Sequence, residues 1–300
     1  MADTDMIRKE LLQRIESKKE KLNTMRQLPR DALKRLQEEM RLMHTYHSNA
    51  IEGNTLTLSE TKLVIEEGIT IGGKPLKDYL EAQNTARAYE MIEGLTGRKK
   101  ITHETVQKTH EALTKGILDD AGRYRTKNVR ITGAVKTPPS FSKVVKLMGQ
   151  LLDKVNKDKK HPIETSAFLH HNFVEIHPFT DGNGRTARLL NNLYLMRHGY
   201  PPIILRKEDR AKYYKFLRSA DTGNLTPFAN FIAKAVDEAL IHYLSIFGGE
   251  DELMPLKELA KASPYSQEYL SLRARQGRLA AVKIGNIWHA SKRALREYRT

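Results

Sequence analysis

The stretch His177-Pro178-Phe179-Thr180-Asp181-Gly182-Asn183-Gly184-Arg185-Thr186-Ala187-Arg188 decides how this chain is read. Upstream, Ala167 to Ile176 has helical spacing, and Pro178 disfavours the α conformation at the residue before it, so His177 is expected at a helix exit. Gly182-Asn183-Gly184 then gives a turn free of side-chain obstruction, and Arg185 opens an apolar run through Leu189, Leu190, Leu193 and Met196. The pattern predicts a loop feeding a buried helix. Backbone N–H groups at a helix start, approached through glycines, form an anion site. Arg185 and Arg188 are three apart, share a face and lean back over the turn, which turns the loop into a polyphosphate cradle. Asp181 offers Mg²⁺ a hard oxygen ligand beside substrate phosphates. His177 supplies a base with a near-neutral pKa. These parts suit nucleotidyl transfer to a hydroxyl.

The whole string resembles the signature of the Fic (Fido) family, whose members mostly transfer AMP from ATP to Ser, Thr or Tyr hydroxyls of proteins. It agrees at every signature position. The resemblance implies His177 as the catalytic base and Phe179 as a core anchor. Asp181 becomes the Mg²⁺ ligand. ATP is expected to lie against Asp181, Gly182, Asn183, Gly184, Arg185, Thr186 and Arg188, with Asn183 and the glycine amides forming the phosphate hole. Downstream, Tyr213 falls where family members place a Tyr near the nucleotide, and Asp221 stands where they place an Asn.

A second segment gains meaning from the first. Ser48-Asn49-Ala50-Ile51-Glu52-Gly53-Asn54 places Ser48 and Glu52 on one helical face ahead of a good C-terminal stop. By itself that is a helix end with an exposed glutamate. It also resembles the family's inhibitory helix, here expected over about 44–53 and N-terminal to the core. There the Glu pairs with the second signature arginine, Arg188 in this chain. A carboxylate engaging that guanidinium bidentately competes with the γ-phosphate.

The remaining chain reads as helices separated by punctuation. Apolar spacing predicts helices from Met6 to Leu28 and from Asp31 onward, and Thr57-Leu58-Ser59-Glu60 is a capping box. Gly68 to Pro75 is one residue short of a Walker phosphate loop, Pro75 stands in place of its Ser/Thr, and a tight turn is the reading taken. Asn128 to Thr137 alternates around Gly133 and predicts a β-hairpin. Its place before the signature resembles the family's flap, so Ile131, Thr132, Gly133 and Ala134 are expected to clamp a target segment by strand addition. His161, His170, His171, His177 and Glu175 lack an HExxH spacing, which argues against a metal cluster.

After the linker Gly248 to Glu252, the helices Pro255–Ala262 and Ser266–Gln276 and a strand pair around Gly285-Asn286 make a helix-turn-helix rhythm with a wing. This tail resembles excisionase-like winged helices. It holds four Lys and six Arg against three Glu, a large share of the chain's net charge of +15. Gln267, Arg273 and Arg275, with Arg278 and Lys283, are candidates for DNA contact.

Three hundred residues with 39% hydrophobic and 29% charged content, no long apolar run and no leader-like start predict a helix-rich cytoplasmic protein without membrane contact. The absence of cysteine excludes disulfides and thiolate chemistry. The expected architecture is mainly α: an N-terminal helical region (1–100), a Fic core with a hairpin flap (101–247) and a winged helix-turn-helix (254–300). The expected activity is Mg²⁺- and ATP-dependent protein adenylylation, autoinhibited by Glu52, on a target protein's Ser, Thr or Tyr hydroxyl and on the protein itself. A homodimer is a further expectation. Two alternatives stand beside it: removal of AMP at the same site, and a DNA-binding regulator whose core senses nucleotide.

Overall fold

The computed structural model describes residues 6–25, 30–70, 72–97, 100–130, 136–284 and 287–299. The chain is mainly α. Ten helices precede the tail: α1 (Lys9–Thr24), α2 (Arg30–Ile51), α3 (Leu58–Glu66), α4 (Leu76–Gly94), α5 (His103–Thr114), α6 (Val144–Lys157), α7 (Pro162–Ile176), α8 (Asn183–Arg197), α9 (Arg210–Asp221) and α10 (Thr226–Ser245). Two starts have full capping boxes, Thr57 with Glu60 for α3 and Thr102 with Thr105 for α5. The stretch expected to resemble an inhibitory helix is the last two turns of the 22-residue α2 rather than a separate element.

Two compact units divide the chain, one of residues 1–7 and 38–232, the other of 8–37 and 233–300. In the first, α8 is the hub. Its apolar Ala187, Leu189, Leu190, Leu193 and Leu195 and its polar Asn191 and Asn192 are all buried, so the helix is covered on every side. Its neighbours are α4, α5 and α7. Tyr89, Val106, Leu113, Met148, Leu169 and Phe173 fill the space between them.

In the second unit, the tail comprises β1 (Met254–Pro255), α11 (Leu256–Lys261), α12 (Gln267–Arg275), β2 (Ala281–Ile284), β3 (Ile287–Ala290) and α13 (Lys292–Arg299). The strands pair antiparallel in the order β1-β3-β2, with Val282 opposite His289 and Met254 opposite Ala290. Leu256, Leu259, Leu270, Val282 and Leu295 form its core. Helix α1 belongs to this unit, although the sequence groups it with residues 1–100. The reason is electrostatic: Asp237 of α10, 3% exposed, takes Arg14 Nη2 at 2.7 Å and Lys18 Nζ at 2.6 Å. A buried carboxylate requires such partners. Strand β1 and helix α13 were not foreseen.

The hairpin expected at Ile131, Thr132, Gly133 and Ala134 lies outside the described residues; Asn128 to Arg130, Lys136 and Thr137 are not in strands. No described helix is long and apolar enough to cross a membrane.

Candidate active site

His177 caps the C-terminus of α7 in the left-handed conformation (φ 50°, ψ 62°). Among the described residues it is the one non-glycine residue with positive φ. Such a residue costs on the order of 1 kcal/mol and persists where its surroundings over-determine it. Arg125 supplies the determination. Its Nε donates to His177 O at 2.8 Å, its Nη1 to Lys127 O at 3.0 Å and its Nη2 to Pro139 O at 2.6 Å, while its own N–H donates to Pro178 O. One buried guanidinium thus staples the loop of the histidine to both flanks of the expected hairpin.

The Nδ1 of His177 donates to Val174 O at 3.3 Å, which leaves Nε2 as the acceptor. Burial, with the nearby Arg125 charge, holds the imidazole pKa below its ordinary value, against the Val174 contact that raises it. The ring is neutral and basic at pH 7.

The loop from Phe179 to Gly182 is built on internal bonds. Phe179 is fully buried and stacks on His110 with centroids 3.6 Å apart, so its expected anchoring role is borne out by geometry. His110 accepts from Gly122 N at Nδ1, and its Nε2 donates to Asp181 O at 3.0 Å. Burial lowers its pKa to about 4, keeping it a neutral strut. Gly182 has φ +74°, and a Cβ there would press on Thr114 and His110.

Three of the side chains expected near ATP are engaged inside the fold. The Asn183 side chain is not a free phosphate donor: its Oδ1 accepts from Phe179 N at 3.0 Å and its Nδ2 donates to Phe179 O at 2.9 Å. The Thr186 hydroxyl is buried and donates to Gly182 O at 2.9 Å. Both brace the turn, and the Thr186 N–H is itself taken by Gly182 O, which leaves the Asn183 N–H free of an intrahelical partner. Tyr213 is 2% exposed, its hydroxyl bonded to His170 Nε2 at 2.8 Å and its ring 5.9 Å from the Arg188 guanidinium carbon. It supports Arg188 from within the core. The neighbouring Tyr214, half-buried, is the tyrosine beside Glu52.

The cradle itself forms where expected. Thr186 N–H is the first in α8 to find an acceptor in this turn, at Gly182 O, so the N–H groups of Asn183, Gly184 and Arg185 end the helix without intrahelical partners. A Cβ at Gly184 would displace the Glu52 carboxylate, the far end of a movable side chain, and approach Arg188 Nη1 to 3.3 Å. Asp181 stands beside it. Burial alone would raise its pKa, but the Gly182 N–H at 2.6 Å, then Arg185 and Lys77, outweigh that and hold it below its ordinary value.

Both arginines are buried and both face internal carboxylates. Arg188 donates from Nε to Ser48 Oγ and from Nη2 to Ser48 O, each at 2.9 Å, and its Nη2 meets Glu52 Oε1 at 2.7 Å. The expected partners are therefore together, although the grip on Glu52 is a single contact and not bidentate. Burial opposes the Arg188 charge, and Glu52 overcomes it, raising the guanidinium pKa further. Arg185 Nη1 lies 2.8 Å from Glu81 Oε1, a partner the sequence did not reveal. Arg185 Nε and Nη1 and Arg188 Nη1 have no hydrogen-bond partner among the described residues, the Arg185–Glu81 contact being an ion pair without hydrogen-bond geometry.

Glu52 closes α2 with a left-handed turn. Gly53 (φ +99°) donates to Ala50 O at 3.2 Å and Asn54 N–H to Asn49 O at 3.1 Å. A carboxylate at a helix C-terminus is disfavoured by the helix dipole. Its presence is explained by Arg188 and by Arg210, whose Nε donates to Ile51 O at 2.7 Å. Ser48, predicted from spacing, and Arg210, which no local pattern singles out, act on the same helix end.

Asp221 takes His171 Nε2 at 2.9 Å. Among the described residues there is no cluster of three His, Cys, Asp or Glu able to hold a metal.

Comparison with known proteins agrees with this geometry. The Fic/DOC family model matches residues 100–195. A protein adenylyltransferase Fic of Nematostella vectensis is 38% identical over 244 residues, which is 79% of this chain and 56% of that protein. The chain spans about half the length of the curated relatives it matches. Among solved structures, Fic-1 (residues 134–508) of C. elegans superposes with a TM-score of 0.71 at 33% identity, covering 79% of this chain and 71% of that one. A Fic-domain signalling protein of Bacteroides thetaiotaomicron gives a TM-score of 0.73 at 30% identity, covering 81% of this chain and 98% of that one. The chain belongs to the Fic/DOC family.

Proposed function

We propose that this chain is a protein adenylyltransferase that moves AMP from ATP to a hydroxyl side chain of a target protein, held at a low basal rate by Glu52. The observation that carries the reading is the pairing of a neutral, acceptor-ready His177 with a helix-start cradle in which two buried guanidinium groups keep nitrogens unpartnered. A polyphosphate fits those orphan donors and the free N–H groups of α8. In the reaction, His177 Nε2 takes the proton of the target hydroxyl as its oxygen bonds to the α-phosphorus. The bond from that phosphorus to the bridging oxygen breaks, and pyrophosphate leaves. Arg185 and Arg188 stabilise the charge on the departing phosphates. Gly182 and Gly184 let the backbone approach them.

A divalent cation suits the same place. Asp181 is ionised and half-exposed beside the cradle, and Mg²⁺ usually binds through one or two carboxylates plus substrate phosphates. When bound, it would neutralise phosphate charge. Names of relatives support the activity, since those matched are called protein adenylyltransferases. Glu52 is read as inhibitory because its carboxylate sits on the guanidinium that a terminal phosphate requires.

Residues 254–300 are read as a winged helix-turn-helix. Exposed Gln267 and Arg275 on α12 and exposed Arg278 support a second, separable reading, contact with nucleic-acid phosphates.

The test is incubation with ATP labelled at the α-phosphate in one arm and the γ-phosphate in another. Protein label from the α arm alone, abolished by His177→Ala, is expected. Label from the γ arm would overturn the assignment in favour of phosphoryl transfer.

A further inference from the structure

Glu81 is 6% exposed on the second turn of α4, and neither the apolar pattern nor the signature accounts for it. Its two oxygens face different elements. Oε1 lies 2.8 Å from Arg185 Nη1 in the cradle, and Oε2 accepts from Asn54 Nδ2 at 2.9 Å. Asn54 follows Glu52 by two residues and closes the turn that ends α2. Its amide orientation is fixed from both sides, because Oδ1 accepts from Leu56 N at 3.1 Å while Nδ2 also donates to Asp78 O at 3.1 Å. Next to it, Thr55 N–H and hydroxyl both bond Asp78 Oδ2, at 2.8 and 2.6 Å.

The α4 start therefore holds the loop after the inhibitory residue, and it does so with the same carboxylate that faces the first cradle arginine. Arg185 Nη1 meets Oε1 as an ion pair without hydrogen-bond geometry, with Lys77 Nζ 3.7 Å from the same oxygen, while Asn54 is the hydrogen-bond donor; a buried carboxylate shared in this way cannot lose one partner without changing its hold on the other. We propose that Glu81 and Asn54 form a positioning link through which occupancy of the phosphate cradle and docking of the Glu52-bearing helix end are coupled. With the cradle empty, Arg185 secures Glu81, Glu81 secures Asn54, and Glu52 stays on Arg188. A phosphate that draws on Arg185 loosens the Asn54 anchor and favours withdrawal of Glu52. By reciprocity, loosening the anchor favours the phosphate. The inference rests on the reading of Glu52 as inhibitory.

The test measures the affinity of the α,β-methylene analogue of ATP with Mg²⁺ by calorimetry, in the wild type and in Glu52→Gly, each with and without Asn54→Asp. The aspartate keeps the Oδ1 acceptor for Leu56 and sets a carboxylate oxygen against Glu81, so it breaks the link while preserving the turn. Asn54→Ala serves as a second variant, and thermal melting checks that both fold. Asn54→Asp is expected to tighten binding about fivefold in the wild type, the low end of usual coupling strengths, and to leave it unchanged in Glu52→Gly. A purely structural Asn54 would lower the melting temperature without tightening. No tightening by either variant, or the same change in both backgrounds, overturns the link. If Glu52→Gly itself fails to tighten binding, the inhibitory reading of Glu52 falls instead.

Discussion

Replacing Glu52 with glycine tests the centre of the proposed control. The contact removed is Arg188 Nη2 to Glu52 Oε1 at 2.7 Å, while both Ser48 bonds to the guanidinium remain. Arg188 thus keeps its position, Nη2 stays bonded to Ser48 O, and one Nη2 N–H is released beside the unpartnered Nη1. A hydrogen bond to a charged partner contributes about 1.5 to 3 kcal/mol. The Glu52 side chain is 31% exposed, so solvent screening moves the figure to the lower half of that range. At about 1.4 kcal/mol per factor of ten, transfer should rise roughly ten- to thirtyfold. Gly53 already takes the left-handed turn, and a glycine at the helix end costs the helix little. Incorporation of α-labelled AMP, measured at saturating Mg·ATP for wild type, Glu52→Gly, Arg188→Ala and the double variant, gives the comparison. Arg188→Ala should be slow because it loses the phosphate grip, and the double variant should stay equally slow. An unchanged rate in Glu52→Gly refutes the inhibitory contact, and a fast double variant refutes Arg188 as the shared partner.

Other expectations follow from the same geometry. His177→Ala should reduce transfer by about 10² to 10⁴ while nucleotide affinity, measured by calorimetry, stays near that of the wild type. Because burial holds the His177 pKa below 6.5, the neutral base persists as pH falls through 6.5, and the acid limb of the rate profile should lie below that value. Folded stability should weaken on acidification from about pH 6.5 toward 4: His47 and His110 sit near 4 and His44 near 3, all lowered by burial, so across this window the unfolded state binds more protons. Each adds up to about 1.4 kcal/mol per pH unit, and the melting temperature against pH would show it. For the tail, deletion of 254–300 should remove duplex DNA binding, with a log–log salt slope of roughly −0.9 per phosphate lost, and spare transfer. Equal DNA affinity in the truncated chain would refute that reading.

The site was legible where residue type and backbone demand coincide. Pro178 after His177, and glycines at 182 and 184, announce a helix exit, a left-handed turn and a close approach, and each is realised. Ser48 and Glu52 were legible because a spacing of four fixes one face. What the sequence did not show for Asn183, Thr186 and Tyr213 has a common form: their side chains are engaged inside the fold, by Phe179, Gly182 and His170. A sequence shows that a donor exists but not whether it is already satisfied. Glu81 and Arg210 were missed because their partners lie 27 to 159 residues away, and Arg125 because it bonds backbone carbonyl groups of separate segments. Helix α1 belongs to the tail's unit, where Arg14 and Lys18 meet the buried Asp237, Lys21 meets Asp251 and Arg14 also donates to Gly277 O, pairings that hydrophobic spacing does not encode.

The buried charges explain why inhibition and stability reinforce one another here. Arg185 and Arg188 are each 2–3% exposed, and an unpaired guanidinium at that depth costs several kcal/mol. A cradle shaped for phosphates is therefore costly when empty unless the protein supplies its own anions. Glu81 does so for Arg185 and Glu52 for Arg188. The two carboxylates differ in a way that matters: Glu81 is held by a helix interior and an amide, whereas Glu52 sits at a helix end with almost a third of its side chain in solvent. The second is the one that can leave. On this view the inhibitory carboxylate stabilises the empty site as well as blocking it, and nucleotide replaces it by offering the same arginine a more highly charged partner.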